Sequence, residues 1–258
     1  MTSKKSPTLT GKNSIGLMTH IVLGYPSFEE NLETVETMAK CGVAFVELQL
    51  PFSDPVADGP SMMLANTRSL QHGVTIKACF EQAGKIAKAT KISLLFMTYT
   101  NIAYQYGIDK FVADASRAGM KGIIIPDLPY EESDQYVKAC KKHVIDPIFV
   151  VSPNSSDNRL RAISKVASGF IYCTTRTGVT GAQASLPTDV KTYLKRVRQF
   201  IVLPLAVGFG ISRKEHVDAL QGVADYAVIG SAVMDLVHKG KSKGERLQAI
   251  ADFLQALA

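Results

Sequence analysis

The chain has no apolar run long enough to cross a bilayer: its longest, such as 122–126 and 201–207, fall far short of the roughly 20 residues a membrane helix requires. A membrane protein is excluded. It also has no CxxC pair. The four cysteines, Cys41, Cys79, Cys140 and Cys173, are scattered, which reads as reduced, individually buried thiols rather than a disulfide framework or a zinc site. The five histidines, His20, His72, His143, His216 and His238, share no ligand spacing, so none is assigned a metal or catalytic role, although His20 is placed where it can face an interior. No basic patch is present either. Lys and Arg outnumber Asp and Glu by 29 to 23, but they are spread along the chain. The densest group, Lys195, Arg196 and Arg198, lacks interleaved aromatics and reads as a solvated helix face, so nucleic acid is not an expected partner. Residues 1–13 are polar, with Lys4, Lys5 and Lys12 and no apolar stretch behind them; no secretory signal is read there, and a cytoplasmic address is expected.

What the chain does have is enough apolar material for a large core, 46% hydrophobic residues against 20% charged in 258 residues. Short β-rich runs alternate with amphipathic stretches. Candidate strands lie at 18–24, 44–50, 93–99, 122–126, 148–151, 169–174, 203–207 and 226–229. The first helix opens on Ser27-Phe28-Glu29-Glu30, a capping box, runs through Leu32, Val35, Met38 and Ala39, and stops before Gly42. The same grammar recurs at 108–118 before Gly119 and at 131–143 after Pro129. Parallel neighbours need crossover connections, so repeated strand–helix units predict a parallel sheet. Eight units in one chain of this size predict a single (β/α)8 TIM barrel spanning residues 1–258. A doubly wound nucleotide-binding sheet is disfavoured, because the first strand runs into Leu23-Gly24-Tyr25-Pro26 and carries no GxGxxG. The spacing predicts an enlarged loop after strand 2, Pro- and Asp-rich, followed by a helix at 77–89, and a mobile loop after strand 6.

Three stretches point to chemistry. On the second strand, Glu47 and Gln49 share one face and Val46, Leu48 and Leu50 the other; since the helix-packing face of a barrel strand is apolar, Glu47 and Gln49 should point inward. An enclosed carboxyl is costly to ionise and so suits proton transfer near neutrality, whereas Asp54 and Asp58 in the wetter loop beyond should stay ionised. Secondly, Gly208-Phe209-Gly210 follows the seventh strand and Gly230-Ser231 the eighth, where barrels frequently bind phosphate through backbone amides at a helix start. Thirdly, Arg176-Thr177-Gly178-Val179-Thr180-Gly181 after the sixth strand reads as a surface loop or as a lid whose far end joins that phosphate cradle.

These segments, ELQLPFSDPVADGP at 47–60, IIPDLPYEES at 124–133, RTGVTG at 176–181, GFGIS at 208–212 and Gly230-Ser231, resemble the tryptophan synthase alpha subunit in order and along nearly the whole chain. The resemblance implies a barrel that cleaves indole-3-glycerol phosphate to indole and glyceraldehyde 3-phosphate by a retro-aldol reaction, with no metal and no cofactor. It implies work in an α2β2 heterotetramer that passes indole to a pyridoxal-phosphate beta subunit. By motif, Glu47 matches the catalytic general acid/base and Asp58 the aspartate that meets the indole N–H. Tyr172 and Tyr99 match positions at the substrate pocket, Asp127 a partner-facing one, and Gly181, Gly210, Gly230 and Ser231 the phosphate cradle with Phe209 beside it, while Thr180 meets Asp58 on lid closure. The chain departs from the family pattern in three places: Gln49 replaces a glycine, Ser61-Met62-Met63 stands where a glutamine is common, and His20 replaces an apolar pocket residue. Two alternatives therefore stay open beside the partnered enzyme: a stand-alone lyase releasing indole, and a weakly active allosteric binding subunit for the beta chain.

Overall fold

The computed structural model describes residues 15–174, 189–208 and 210–258. Its strands are β1 (Gly16–Val22), β2 (Phe45–Gln49), β3 (Ser93–Met97), β4 (Gly122–Ile124), β5 (Asp146–Val151), β6 (Ile171–Thr174), β7 (Leu205–Gly208) and β8 (Tyr226–Ile229). Each pairs in parallel with its sequence neighbours, and β1 pairs with β8, so the sheet closes into a barrel of eight strands. Around it lie α1 (Phe28–Lys40), α2 (Pro60–Gln71), α3 (Ile76–Ala89), α4 (Thr100–Tyr106), α5 (Ile108–Arg117), α6 (Asp134–His143), α7 (Asp157–Ile163), α8 (Val190–Arg198), α9 (Lys214–Asp218), α10 (Ser231–Lys239) and α11 (Lys243–Leu257). The barrel expectation holds, with all eight strands found within one or two residues of their expected cores. No helix among the described residues is long and apolar enough to cross a membrane.

The capping box at α1 is half right. Ser27 Oγ accepts the Glu30 N–H at 3.1 Å, as a cap should. The Glu30 carboxylate, however, turns away to Arg246 on α11, which donates to it from Nε at 2.5 Å and from Nη2 at 2.7 Å. The region after β2 is not one long loop: α2 occupies Pro60–Gln71, with Pro60 opening the helix after Gly59. Its buried side is Met62, Ala65, Asn66 and Ser69, half of it polar, so hydrophobic periodicity did not announce it. The helix expected from Glu131 starts at Asp134, because Tyr130–Glu132 forms a 3₁₀ turn and Ser133 Oγ donates to the Tyr130 carbonyl at 2.6 Å. Of the basic group on α8, Lys195 and Arg198 are exposed, as expected, although Arg198 also donates to the Leu203 carbonyl and to Asp225; Arg196 is half-buried and donates to the carbonyls of Pro153 and Ser155.

Strand alternation divides the core in two. Val46, Leu48 and Leu50 pack outward under the helices, while Met18, Phe45, Leu95, Ile148 and Phe170 fill the barrel. Phe45 meets Tyr226 edge-on at 5.1 Å and Phe170 at 5.5 Å, and these rings plug the barrel below the polar layer that follows. All four cysteines are free thiols, and burial pushes Cys79, Cys140 and Cys173 up to about 12, as inert structural thiols require.

Candidate active site

Glu47 points into the barrel as its strand position requires, and it is 1% exposed. Register places His20 of β1 beside it, and His20 Nδ1 lies 2.9 Å from Glu47 Oε2. The other carboxyl oxygen, Oε1, has no hydrogen-bond partner among the described residues. A buried polar atom without a partner is costly to the fold, and this one belongs to the carboxyl expected to carry the chemistry.

Asp58 is not in a wet loop. The chain after β2 turns back at Pro55–Asp58, where the Asp58 N–H donates to the Pro55 carbonyl at 2.9 Å, and the side chain ends 4% exposed. Gln49 Nε2 donates to Asp58 Oδ2 at 2.6 Å and Asn66 Nδ2 to the same oxygen at 3.1 Å. The Tyr99 hydroxyl also bonds to this carboxyl, and it accepts the Ala57 N–H at 3.2 Å while its ring stacks on Phe52 at 5.2 Å. Burial raises the Asp58 pKa above its ordinary value, against the pull of Gln49, His20, Tyr99 and Asn66. For His20, burial works to lower the pKa, but the charge of Glu47 and the hydrogen bond to it, with help from Asp58 and Gln49, outweigh it and raise the pKa.

His20 Nε2 lies 2.7 Å from Gln49 Oε1. Glu47, His20, Gln49 and Asp58 therefore form one unbroken hydrogen-bonded chain across the mouth of the barrel. Tyr172, on β6, is partly buried, and burial followed by the charges of Glu47 and Asp58 raises its pKa well above the ordinary phenol value. Gly230 precedes α10 with no side chain capping that helix, and a Cβ at 230 would lie 3.7 Å from His20 Cβ, so the expected cradle borders the same chain. Ser231 is the first residue of α10, and Gly210 adopts φ +79°, a left-handed conformation that glycine accepts freely. Asp127 stands apart: it is exposed after β4, and its Oδ1 accepts from the Thr100 N–H at 2.9 Å and hydroxyl at 3.0 Å. Thr180, Gly181 and Phe209, and with them the expected lid, lie outside the described residues.

Sequence reasoning passed over His20 as a functional residue and did not name Asn66. His20 was findable, since it sits two residues from inward-facing Met18 on a barrel strand. Asn66 was not, because only the placement of α2 brings it to Asp58. Among the described residues no group of three or more His, Cys, Asp or Glu is arranged to hold a metal ion.

The family model described as "Tryptophan synthase alpha chain" matches residues 7–257. The tryptophan synthase alpha chain of Desulfotalea psychrophila is 45% identical over 241 residues, covering 93% of each chain. A structure of Mycobacterium tuberculosis tryptophan synthase is similar at TM-score 0.87 with 29% identity, over 95% of this chain and 91% of that one. A structure described as showing mutual activation of the tryptophan synthase α2β2 complex of Pyrococcus furiosus is similar at TM-score 0.87 with 26% identity, over 96% and 99%.

Proposed function

This chain belongs to the tryptophan synthase alpha chain family, lyases that cleave indole-3-glycerol phosphate, and from that premise we propose that Glu47 carries the proton and Asp58 holds the indole. The observation that carries the reading is the bare, buried Oε1 of Glu47, on a carboxyl that His20 and Gln49 join to Asp58. Cleaving the bond between indole C3 and the glycerol chain requires a proton placed on C3 and one taken from the adjacent hydroxyl. A single carboxyl oxygen with no competing partner can do both. Asp58, supplied with donors from Gln49, Asn66 and Tyr99, is held as the acceptor for the indole N–H as charge develops on the ring. Tyr172 and Tyr99 line the pocket, and the backbone at Gly210, Gly230 and Ser231, with Gly181 and Phe209, takes the phosphate at the uncapped start of α10. By its place in the RTGVTG motif, Thr180 is assigned the hydroxyl that serves Asp58. The partner is a tryptophan synthase beta subunit, as in the α2β2 assembly of the Pyrococcus furiosus relative, with Asp127 on the surface it meets. The reaction is placed in the cytoplasm.

Purified protein incubated with indole-3-glycerol phosphate, with and without a beta subunit, should release indole and glyceraldehyde 3-phosphate, faster with the partner. Glu47→Gln should lower turnover roughly a hundredfold or more while leaving folding intact. Retained turnover in Glu47→Gln would remove the assignment; full activity without a partner would favour the stand-alone lyase, and indole release too weak to measure would favour the allosteric binding subunit.

A further inference from the structure

Hydrogen-bond directions across the barrel mouth can be assigned one by one. The Phe52 N–H can only donate, so Asn66 Oδ1 must be the atom 2.9 Å from it; the Met62 carbonyl can only accept, so Asn66 Nδ2 is the atom 2.8 Å from that. Gln49 Nε2 lies 2.6 Å from Asp58 Oδ2 and 3.4 Å from Asn66 Oδ1, both acceptors, which leaves Gln49 Oε1 turned to His20. Two acceptors do not meet at 2.7 Å, so His20 Nε2 carries a hydrogen. His20 Nδ1 and Glu47 Oε2, 2.9 Å apart, then share one proton between them.

Resting on the assignment of Glu47 as the proton carrier, we propose that His20 is a positioning residue for the lyase reaction. Gln49 locks its Nε2–H, and its Nδ1 holds a proton in common with Glu47 Oε2, so that Oε1 is left bare toward the substrate. Oε1 first places its proton on C3, and as it does so the shared proton moves toward Oε2; the ring, now an indolenine, can accept electrons. Oε1 then takes the hydroxyl proton while the shared proton passes back to Nδ1, the oxygen lone pair forms the carbonyl, and the C–C electron pair returns to the protonated ring. The hydroxyl proton replaces the one given to C3, so no proton is gained or lost overall. The titratable groups facing His20 are Glu47 and Asp58, with Tyr99 and Tyr172 beyond them.

Two measurements test this on the full-length protein. In ¹⁵N spectra of labelled histidine, His20 should show a protonated Nε2 at every pH at which the protein is folded, and Gln49→Leu should abolish that bias. In kinetics with indole-3-glycerol phosphate, His20→Phe should lower kcat about tenfold or more, as loss of a residue that orients a catalytic base does, with little change in KM and a displaced pH–kcat profile. His20→Asn, which keeps a donor near Nδ1, should recover part of the lost kcat. An Nε2 without a proton in the wild type, or His20→Phe with wild-type kcat and pH profile while Glu47→Gln is inactive, would overturn the role of His20 and leave the assignment of Glu47 standing. An active Glu47→Gln would instead remove the assignment on which the proposal rests.

Discussion

Gly208 on β7 sits directly against the Tyr172 phenol: a Cβ there would come within 2.7 Å of the hydroxyl and 3.0 Å of Cε1. The ring of Tyr172 therefore keeps its place beside β7 because no side chain stands at 208. Gly208→Ala should push the phenol aside and cost about 1–3 kcal/mol of stability, as overpacking does. KM for indole-3-glycerol phosphate should rise. Thermal melts and steady-state kinetics check both, and an unchanged KM would show that Tyr172 does not shape the substrate site.

Asp58→Asn should sharply reduce turnover and also change how stability depends on pH. Because burial raises the Asp58 pKa above its ordinary 3.8, the folded state binds a proton more readily than the unfolded one just above that value. Stability from this group is thus fully present below about pH 3.8 and is lost as pH rises through the folded pKa. Asp58→Asn lacks that titration, so its stability relative to wild type should increase as pH rises across the window. Denaturant titrations in steps upward from acid pH would show the convergence, and parallel curves would mean that Asp58 is not strained by burial.

Phosphate binding can be tested apart from catalysis. Gly210→Val places a β-branched residue at φ +79°, a conformation that costs an L-residue about 1–2 kcal/mol, and sets its side chain against the expected cradle. Calorimetry with glycerol 3-phosphate should show weakened binding while the bulk of the fold survives. Undiminished affinity would relocate the phosphate site.

The pair Glu30–Arg246 ties α1 to α11 with two hydrogen bonds at low exposure, 6% and 16% for the side chains. Glu30→Gln should destabilise the protein by about 1–3 kcal/mol, between the ranges for exposed and buried pairs because Arg246 keeps some contact with water. A double-mutant cycle with Arg246→Met measures the coupling directly. Turnover per folded molecule should not change, since the pair lies outside the barrel mouth.

The barrel was legible along the chain because its signals are local. Strand alternation put Glu47 and Gln49 on the inward face, Ser27 marked the start of α1, and Gly208 and Gly230 marked the ends of β7 and β8. Only the tertiary structure decided what those side chains meet. His20 and Glu47 are 27 positions apart in sequence and 2.9 Å apart in space because β1 and β2 pair in one register, and a slip of one residue would have turned His20 outward to the helices. Asp58 read as an exposed loop acid because sequence patterns do not report that α2 folds back and brings Asn66 to it. Glu30 read as half of a capping box because nothing local reveals Arg246, more than two hundred residues on. Periodicity is a property of neighbours along the chain, whereas burial and hydrogen-bond partnership depend on which distant segments the closed barrel brings together.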